Sequence, residues 1–311
     1  MSGSYACFRL AFYFKVGIDM FHIIFNPIAG KGKSEQYRKI IEGRLNALAV
    51  KHCFHVTHSR RHAVEIVRSL THARQDAPLD IVAMGGDGTL NEVLNGLSDP
   101  ANTRLGLIPC GSGNDFAAAA GIPQSPEGAL NVLLKGEAKY TDYMECSGIR
   151  GINIIGTGID VDILRRYANM KHLTGSVGYM LSLILTVLTF KFYKFSEDVK
   201  GKMLPHSALI ACAGNGQRLG GGIPICPQAS IDDGLLDIVI VDNLKKHAIP
   251  GAFISLLRRR ILDQPYTVFR RADRMRIVSE EPLPVQIDGE IYDNLPFDVR
   301  VISRQLRMYR P

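Results

Sequence analysis

The sequence predicts two domains: an N-terminal α/β domain built on an open sheet, and a β-rich, sandwich-like C-terminal domain. Three observations predict this division. Apolar runs typical of buried strands alternate with helical spacing, each run ends in a polar loop, and short β-rich segments follow after about Tyr140. A chain of 311 residues is long enough for two cores. We expect the domains at 20–142 and 143–302, with 1–19 as an extension outside the fold.

The composition is typical of a globular soluble protein, and the charge balance favours an anionic partner. Hydrophobic residues make up 46% of the chain and charged residues 22%, which excludes disorder. The net charge of +7 favours nucleic acid, an anionic membrane or a phosphorylated ligand. The excess lies between Lys245 and Arg276, which we interpret either as a solvated basic face or as a membrane-facing patch.

Cysteine and histidine spacings indicate neither a disulfide framework nor a zinc site. The six cysteines contain no CxxC pair, which favours a reduced, cytoplasmic setting. The histidines between His52 and His62 lack an HExxH motif and an acidic third ligand. The longest apolar run, Tyr179 to Phe190, is shorter than the roughly 20 residues that a membrane span needs. We predict a helix at 175–192 that is either ordinary core or the lining of a lipid pocket.

Apolar periodicity predicts the elements of both domains. A buried parallel strand is a continuous apolar run, and a helix has apolar residues three and four positions apart. These patterns predict N-terminal strands at 22–25, 54–57, 79–83 and 104–108, with helices at 37–49, 63–73 and from 90 onward. They predict C-terminal strands near 153–155, 207–212, 235–241, 275–278, 284–287 and 299–302. The alternation in the first half predicts a Rossmann-like sheet with a ligand crevice at the carboxyl ends of its strands.

Three loops at these strand ends carry glycine. Asn26–Ser34 is close to a Walker A motif but has proline where the first glycine is required. Gly85–Thr89 lies between a strand and a helix, where backbone N–H groups form a nest for a phosphate, and Pro109–Phe116 repeats this arrangement. Asn91 and Phe116 stand where a dinucleotide fingerprint needs glycine, so a nicotinamide oxidoreductase is disfavoured.

Asp87 stands within the second glycine loop, where no turn or helix requires a carboxylate. A Mg²⁺ ion bound to a phosphate would use one. Asp115 follows the next strand, so Asp87 and Asp115 can hold such an ion jointly, and Asp142 can join them through water. We therefore expect a phosphate-bound Mg²⁺ at this end of the sheet.

The loops and the second half of the chain together resemble a known family. The motifs are Asn26-Pro27-x-x-Gly30, Gly85-Gly86-Asp87-Gly88-Thr89-x-Asn91-Glu92, Pro109-x-Gly111-Ser112-x-Asn114-Asp115-Phe116, Asn215, Gly220-Gly221-Gly222, Pro227, Ser230-x-x-Asp233-Gly234-Leu235-Leu236-Asp237 and Gln286-Ile287-Asp288-Gly289-Glu290. In this order, over Phe21–Pro311, they resemble the diacylglycerol kinase catalytic domain family, specifically soluble bacterial lipid kinases related to sphingosine and ceramide kinases. GGDGT alone would also suit NAD kinases and 6-phosphofructokinases, and the second half separates these families.

The resemblance implies an N-terminal domain similar to those of NAD kinase and phosphofructokinase, completed by about 303–311. It implies that Ser230, Asp233 and the backbone of Leu235 hold a structural Mg²⁺, and that Glu290 is the proton acceptor. Simple turns remain alternative interpretations of Ser230–Asp233 and of Asp288–Glu290. The residues that the resemblance assigns to the ATP site are Asn26, Pro27, Ile28, Ala29, Gly30, Thr57, Gly86, Asp87, Gly88, Thr89, Leu90, Asn91, Glu92 and Ser112.

We therefore expect an ATP- and Mg²⁺-dependent lipid kinase that works in the cleft between its domains, peripherally at the cytoplasmic membrane face, with Asp87 and Glu290 as catalytic carboxylates. Diacylglycerol, giving phosphatidic acid, is the expected acceptor. The expected partners are the lipid and the membrane surface, without nucleic acid, and a homodimer remains open. The alternatives are a kinase of phosphatidylglycerol, a sphingoid base or a polyprenol, a soluble-metabolite kinase of the NAD kinase type, and a catalytically inactive lipid-binding protein.

Overall fold

The structure, a computed structural model, describes residues 19–73, 78–169, 181, 185–186, 189–190 and 192–311. The predicted extension 1–19, except for Asp19, and most of the predicted helix at 175–192 lie outside these ranges. The chain divides into two compact units. The first unit extends to Asp142 and includes Ser303–Pro311, and the second unit is Tyr143–Ile302.

Helices and strands alternate along the first unit. They are β1 (Phe21–Phe25), α1 (Lys33–Ala47), β2 (His52–Val56), α2 (His62–His72), β3 (Leu79–Gly85), α3 (Asp87–Gly96), β4 (Thr103–Pro109), α4 (Asp115–Ala119) and α5 (Pro126–Lys135). Helix α1 begins before the predicted position 37, because the polar residues after Gly32 carry no apolar signal and yet do not break a helix. Within that turn the Ser34 hydroxyl donates to the carbonyl oxygen of Pro27 at 2.7 Å and attaches the loop to the helix.

Strands predominate after α5. They are β5 (Ala138–Cys146), β6 (Ile149–Gly151), β7 (Ile154–Gly158), β8 (Tyr193–Val199), β9 (Lys202–Gly214), β10 (Leu236–Asp242), β11 (Thr267–Ala272), β12 (Arg274–Val278), β13 (Val285–Ile287), β14 (Glu290–Tyr292) and β15 (Asp298–Tyr309). Among the described residues, two helices with complete bounds accompany them, α6 (Ile159–Asn169) and α7 (Ile249–Leu257). The fold class predicted from the sequence is therefore confirmed: an α/β unit followed by a β-rich one.

The first unit contains a parallel sheet in the order β2-β1-β3-β4, and the end of β15 adds to β4 in parallel through Arg307 and Met308. All residues of β1 and β3 are buried, which explains their continuous apolar runs. Because β2 and β3 lie on opposite sides of β1, the strand order reverses at β1. Such a reversal opens a crevice at the carboxyl ends of the strands.

A buried polar triad joins the end of β15 to this sheet. The Tyr309 hydroxyl donates to Asp80 Oδ1 at 2.5 Å, and Arg104 donates to the two oxygens of the same carboxylate at 2.7 and 2.6 Å. Burial raises the pKa of Asp80, and the hydrogen bonds from Arg104 and Tyr309 oppose that shift. The carboxylate of Asp80 thus has partners from β4 and β15, the two strands that follow β3 in the sheet.

The second unit is antiparallel, and β9 is its central strand. It pairs with β7, β8 and β10 along its thirteen residues. Side chains of β10 alternate between two cores: Ile238 and Ile240 pack in one cluster with β12 and β13, and Val239 and Val241 pack in another with α6 and α7. This period of two is that of a strand buried on both faces.

Replacement of Tyr309 by phenylalanine should destabilise the protein by about 1–2 kcal/mol, because it removes one hydrogen-bond donor from a buried carboxylate. Urea unfolding of the variant and the wild type measures the difference. Tyr140→Phe is a matched control, since the exposed Tyr140 hydroxyl only accepts a 3.3 Å bond from Arg307. Equal losses in both variants would contradict the anchoring role of Tyr309.

Candidate active site

A cavity of about 660 Å³ lies in the first unit at the carboxyl ends of β1, β2, β3 and β4. The loops after these four strands converge there because parallel strands end at the same edge of a sheet. The lining residues are Asn26, Pro27, Ile28, Ala29, Gly30, Thr57, His58, Ser59, Arg60, Ala63, Gly86, Asp87, Gly88, Thr89, Glu92, Gly111, Ser112 and Gly113.

The cavity brings together every residue assigned to the ATP site from the sequence except Leu90 and Asn91. Those two residues are not part of the lining. Leu90 is fully buried and Asn91 is 5% exposed, because the first turn of α3 directs both side chains into the unit and away from the loops. Asp87, Gly88 and Thr89 at the start of the same helix remain at the cavity.

Asn26 holds the loop after β1 against the start of α3. Its Nδ2 donates to Thr89 Oγ1 at 3.0 Å, its Oδ1 accepts from the Ile28 N–H at 3.2 Å, and its backbone N–H donates to the carbonyl of Met84 at 3.0 Å. Asn26 therefore uses both ends of its amide and its backbone to fix the geometry of two loops. This explains physically why an amide stands at the end of β1.

Asp87 has a structural role that the sequence did not predict. Its carboxylate oxygens accept the backbone N–H groups of Asp115 and Phe116, each at 3.2 Å, at the start of α4. A carboxylate at a helix N-terminus satisfies N–H groups that have no partner within the helix. The expectation that no helix requires a carboxylate at this position is therefore wrong.

The loops after β3 and β4 approach so closely that only glycine fits at their contact. A Cβ atom on Gly111 would lie 2.6 Å from the Cα atom of Gly86. Asn114 adopts a left-handed conformation with φ of 51° and caps this turn, since its Oδ1 accepts the N–H of Gly111 at 2.9 Å. Backbone N–H groups of both loops are thus placed beside the cavity, where they suit an anion.

The sequence did not assign six of the lining residues: His58, Ser59, Arg60, Ala63, Gly111 and Gly113. Gly111 and Gly113 flank the assigned Ser112, and the other four follow β2. A basic residue such as Arg60 in a loop at a strand end was the available signal, since it adds positive charge to a phosphate site. Glu92, assigned to the ATP site, also accepts the N–H of Arg61 at 2.8 Å where α2 begins.

The carboxylates expected to hold the catalytic Mg²⁺ are all in the first unit. Asp115 is 5% exposed and Asp142 is 2% exposed. Among the described residues, no three His, Cys, Asp or Glu side chains form a ready metal site. Mg²⁺ is commonly held by one or two carboxylates together with substrate phosphates and water, so Asp87 in the lining of this cavity fits such an ion without a protein cage.

The turn expected to hold a structural Mg²⁺ is occupied by hydrogen bonds within the protein. Ser230 donates to Asp232 at 2.8 Å, and Asp233 Oδ1 accepts the N–H of Leu235 at 3.0 Å. The Arg271 guanidinium lies 3.7 Å from Asp233 and donates to Asp237 at 2.9 Å. Ser230 and Asp233 thus both have partners within the protein, and the Arg271 guanidinium faces the carboxylates of Asp233 and Asp237.

Glu290 begins β14, immediately after a two-residue turn formed by Asp288 and Gly289. Both turn residues have positive φ, 48° and 90°, as a tight Asp-Gly hairpin requires. The Asp288 carboxylate accepts the backbone N–H groups of Ile152, Asn153 and Ile154 at 2.7–3.0 Å. The hairpin interpretation is thus correct for Asp288, while Glu290, half-buried, stands at a rigidly held position beside it.

Asp160 is a buried carboxylate that the sequence analysis did not assign. It is 4% exposed, and no hydrogen bond of normal geometry reaches either of its oxygens from the described residues. Burial raises its pKa to about 7, although the Gln286 amide and the Val161 N–H favour the charged form. Gln286 also accepts the N–H of Gly289 at 2.9 Å, so Asp160 is linked through one side chain to the turn before Glu290. The only signal in the sequence was an aspartate after two glycines, Gly156 and Gly158.

The second unit contains a larger cavity, with a volume of about 1420 Å³. Its apolar lining includes Phe190, Phe192, Phe195, Met203 and Leu283, and Arg165, Arg166, Lys194, Glu280 and Glu281 contribute charges. Thr186, Thr189 and Phe190, which belong to the predicted 175–192 helix, are also part of the lining. Arg166 donates to the hydroxyls of Thr186 and Thr189 at 3.1 and 2.9 Å.

Two family models match the chain. Residues 20–146 match the diacylglycerol kinase catalytic domain, and residues 153–310, about half of the chain, match the YegS C-terminal domain, described as NAD kinase beta sandwich-like. The chain belongs to the diacylglycerol kinase-like family of lipid kinases. The resemblance deduced from the motifs is thus confirmed.

Relatives and solved structures agree with this family. A probable lipid kinase, YegS-like, from Xanthomonas campestris is 31% identical over 78% of this chain and 82% of its own length. A diacylglycerol kinase from Bacillus subtilis is 27% identical over 93% of this chain and 95% of its own length. A crystal structure of a diacylglycerol kinase from Bacillus anthracis superposes with a TM-score of 0.77 at 26% identity, over 95% of this chain and 98% of that chain.

Membership of this lipid kinase family implies that the protein uses ATP, while the acceptor is a separate question. The family separates the chain from nicotinamide oxidoreductases, as the loop sequences predicted. Within the described ranges, no helix of this lipid kinase combines the length and the apolar character that crossing a bilayer requires.

The difference in free energy of unfolding between Asp160→Asn and the wild type should shift in favour of the variant as the pH rises. In the folded protein Asp160 has a pKa of about 7 against 3.8 for an ordinary aspartate, so between these values the unfolded chain loses the proton and the folded protein keeps it. Stability is therefore lost as the pH increases, by up to about 4 kcal/mol in total, and asparagine removes this loss. Urea unfolding at about pH 5 and about pH 8 tests this. A difference between variant and wild type that is independent of pH would contradict it.

Proposed function

We propose that this protein transfers the γ-phosphate of ATP to the hydroxyl group of diacylglycerol and forms phosphatidic acid. The observation that carries the proposal is the cavity at the carboxyl ends of β1–β4, where two glycine loops and Asp87 meet in a chain of the lipid kinase family. Relatives that cover nearly all of the chain are named diacylglycerol kinases, which supports this acceptor.

The first unit supplies what a triphosphate needs. Phosphoryl transfer depends on positioning and on neutralisation of charge at the γ-phosphate, and little covalent work is left to the protein. Backbone N–H groups of the loops at Gly86 and Gly111 and the N-terminus of α3 would hold the phosphates, and Arg60 would add a positive charge. A Mg²⁺ ion bound with ATP would neutralise the developing charge, and we assign that ion to Asp87 and Asp115, with Asp142 joining them through water.

We assign the removal of the acceptor proton to Glu290. The lipid hydroxyl oxygen forms a bond to the γ-phosphorus, the bond from that phosphorus to the bridging oxygen of ADP breaks, and the hydroxyl proton passes to the carboxylate. Three backbone N–H groups hold the neighbouring Asp288, and Gln286 holds Gly289, so the hairpin offers Glu290 a fixed backbone. A base held in one position does not need to be ordered at each turnover.

The cavity of the second unit suits the acyl chains of the acceptor. Its volume of about 1420 Å³ exceeds the roughly 300–1,000 Å³ typical of drug-sized ligands. The aromatic rings of Phe190 and Phe192, with centroids 5.3 Å apart, offer an apolar wall, and Arg165, Arg166 and Lys194 offer positive charge. The lining combines aromatic and aliphatic side chains with charged and hydroxyl groups, which suits a lipid that has both acyl chains and a polar end.

Incubation of the protein with labelled ATP and a lipid panel tests the acceptor. The panel contains diacylglycerol, phosphatidylglycerol, ceramide, a sphingoid base and a polyprenol. We expect label in phosphatidic acid. Label in another lipid alone would identify that lipid as the acceptor and overturn diacylglycerol. No label in any lipid, with turnover of NAD or a sugar phosphate, would overturn the lipid kinase proposal.

Glu290→Gln should lower kcat by about 100- to 10,000-fold, because glutamine cannot accept the proton. Asp87→Asn should lower kcat by a similar factor and should also cost about 1 kcal/mol of stability, since its amide nitrogen cannot accept the N–H of Asp115 or Phe116. Glu137→Gln is the matched control, an exposed carboxylate of the first unit that should retain full activity. Activity close to wild type in either variant would remove that residue from the mechanism.

We propose that a structural Mg²⁺ binds at Ser230, Asp233 and the backbone of Leu235 and stabilises the second unit. At 100 times its dissociation constant such an ion would raise the free energy of unfolding by about 2.7 kcal/mol. Thermal unfolding without nucleotide, with and without Mg²⁺, should show this gain in the wild type and its loss in Asp233→Asn. Asp232→Asn, at the adjacent exposed carboxylate, is the control. An equal effect of Mg²⁺ on both variants would exclude the site.

A further inference from the structure

Helix α7 (Ile249–Leu257) is apolar on all sides, although one side faces solvent. Ile249 and Ala252 are buried in the core cluster beside β9 and β10. On the opposite side Ile254 and Leu257 are 50% and 52% exposed. A helix that packs on a core normally presents polar residues to water, so the outer face of α7 is exposed at a cost in free energy.

Basic residues surround this apolar face. Lys245 precedes the helix, and Arg258, Arg259 and Arg260 follow it, all exposed. The sequence has no aspartate or glutamate between Asn243 and Leu262. Arg260 lies 3.7 Å from Asp263, where both side chains are mostly exposed. Lys245, Arg258 and Arg259 have no ion pair with any residue that the structure describes.

The arginines at the end of the basic region 245–276, in contrast, have acidic partners. Arg270 donates to Glu197 at 2.7 Å, Arg271 to Asp237 at 2.9 Å and Arg274 to Asp298 at 2.6 Å, and Arg276 lies 3.8 Å from Asp198. The charges of 270–276 are thus neutralised by partners within the second unit. The unpaired positive charge of the region 245–276 is therefore concentrated at the two ends of α7.

We propose that the outer face of α7, with Lys245 and Arg258–Arg260, docks on the surface of an anionic lipid bilayer. Aliphatic side chains flanked by basic residues match the acyl boundary and the anionic headgroups of a membrane at the same time. Nucleic acid would match the charges but not Ile254 and Leu257. A small anion would need a concave site, and these residues form a convex helix face.

The neighbourhood of α7 supports this orientation. Asn243, at the end of β10, lines the cavity of the second unit, and Leu244 and Lys245 follow it directly. Phe190, in the wall of that cavity, belongs to the same core cluster as the inner residues of α7. A bilayer held at α7 is therefore close to the cavity that we assign to the acyl chains. This part of the inference rests on the proposed function, while membrane docking itself does not require catalysis.

Co-sedimentation with vesicles tests the proposal. The wild type should bind vesicles that contain phosphatidylglycerol, should bind pure phosphatidylcholine vesicles at least about tenfold more weakly, and should lose affinity as salt is added. Ile254→Glu with Leu257→Glu, and Arg258→Glu with Arg259→Glu, should each weaken binding to the anionic vesicles by about tenfold or more. Equal binding of the wild type to both vesicle types would overturn the proposal that the basic residues bind anionic headgroups.

The control is Lys200→Glu with Lys202→Glu, which changes the net charge by as much as the arginine pair does. Both lysines are exposed, Lys200 in the turn between β8 and β9 and Lys202 at the start of β9, and neither has an ion pair with a described residue. The control should bind as the wild type does. Loss of binding in the control to the same degree would show that net charge alone decides and would overturn the assignment to α7. Wild-type binding by both α7 variants would also overturn it.

Two further measurements separate the alternatives. Sedimentation velocity of Ile254→Glu with Leu257→Glu measures the mass: a dimer that dissociates in this variant would assign the face to a second copy of the chain and overturn the proposal.

Asp87→Asn should bind vesicles as the wild type does. If no lipid is phosphorylated but the α7 variants still lose vesicle binding, the proposed function fails and the docking surface stands. If lipid is phosphorylated and the α7 variants bind vesicles as the wild type does, the docking surface fails and the proposed function stands.

Discussion

The close approach of the loops after β3 and β4 is the constraint on which the rest of the first unit depends. Neither Gly86 nor Gly111 has room for a side chain there, and the N–H of Cys110 donates to the carbonyl of Gly85 at 2.7 Å. Because the loops touch, Asp87 at the start of α3 can satisfy N–H groups at the start of α4. The start of α4 is thereby fixed against the start of α3. The positive end of α3 and the carboxylate of Asp87 both lie at the cavity.

The sequence was sufficient for strands β1–β4, for helices α1–α3 and for the crevice of the first unit. Strands β1 and β3 are buried on both faces, so their apolar runs are continuous, and parallel strands require their loops to meet at one edge. The direction in which a side chain points from its helix was harder to predict. Leu90 and Asn91 stand beside lining residues in the sequence, but the rotation of α3 turns them inward. The bonds from Asp87 to α4 join residues that are 28 and 29 positions apart, which no local pattern contains.

The second unit was less predictable because its order comes from contacts between distant segments. Strand β9 extends from Lys202 to Gly214, beyond the predicted 207–212, since Pro205 interrupts the strand pattern before Ser207. Asp288 and Glu290 are separated by one glycine in the sequence and have different surroundings. The first satisfies three backbone N–H groups and fixes a hairpin, and the second is half-buried at the start of β14. Asn215 is another polar residue whose partner is distant in the sequence, since its side-chain amide donates to the carbonyl oxygen of Ile152 at 2.7 Å.

The triad of Asp80, Arg104 and Tyr309 has a consequence for biosynthesis. Asp80 and Tyr309 are 229 positions apart, so a ribosome must synthesise the whole second unit before the edge of β4 receives its neighbour. Until then Asp80 and Arg104 face water, and the ion pair between them is weak because it is screened. The nascent first unit therefore exposes an unpaired strand edge during most of translation, which is the condition under which chaperones recognise a chain. An element near the carboxyl end of the sequence thus determines when the nucleotide site, more than two hundred residues upstream, becomes a stable structure.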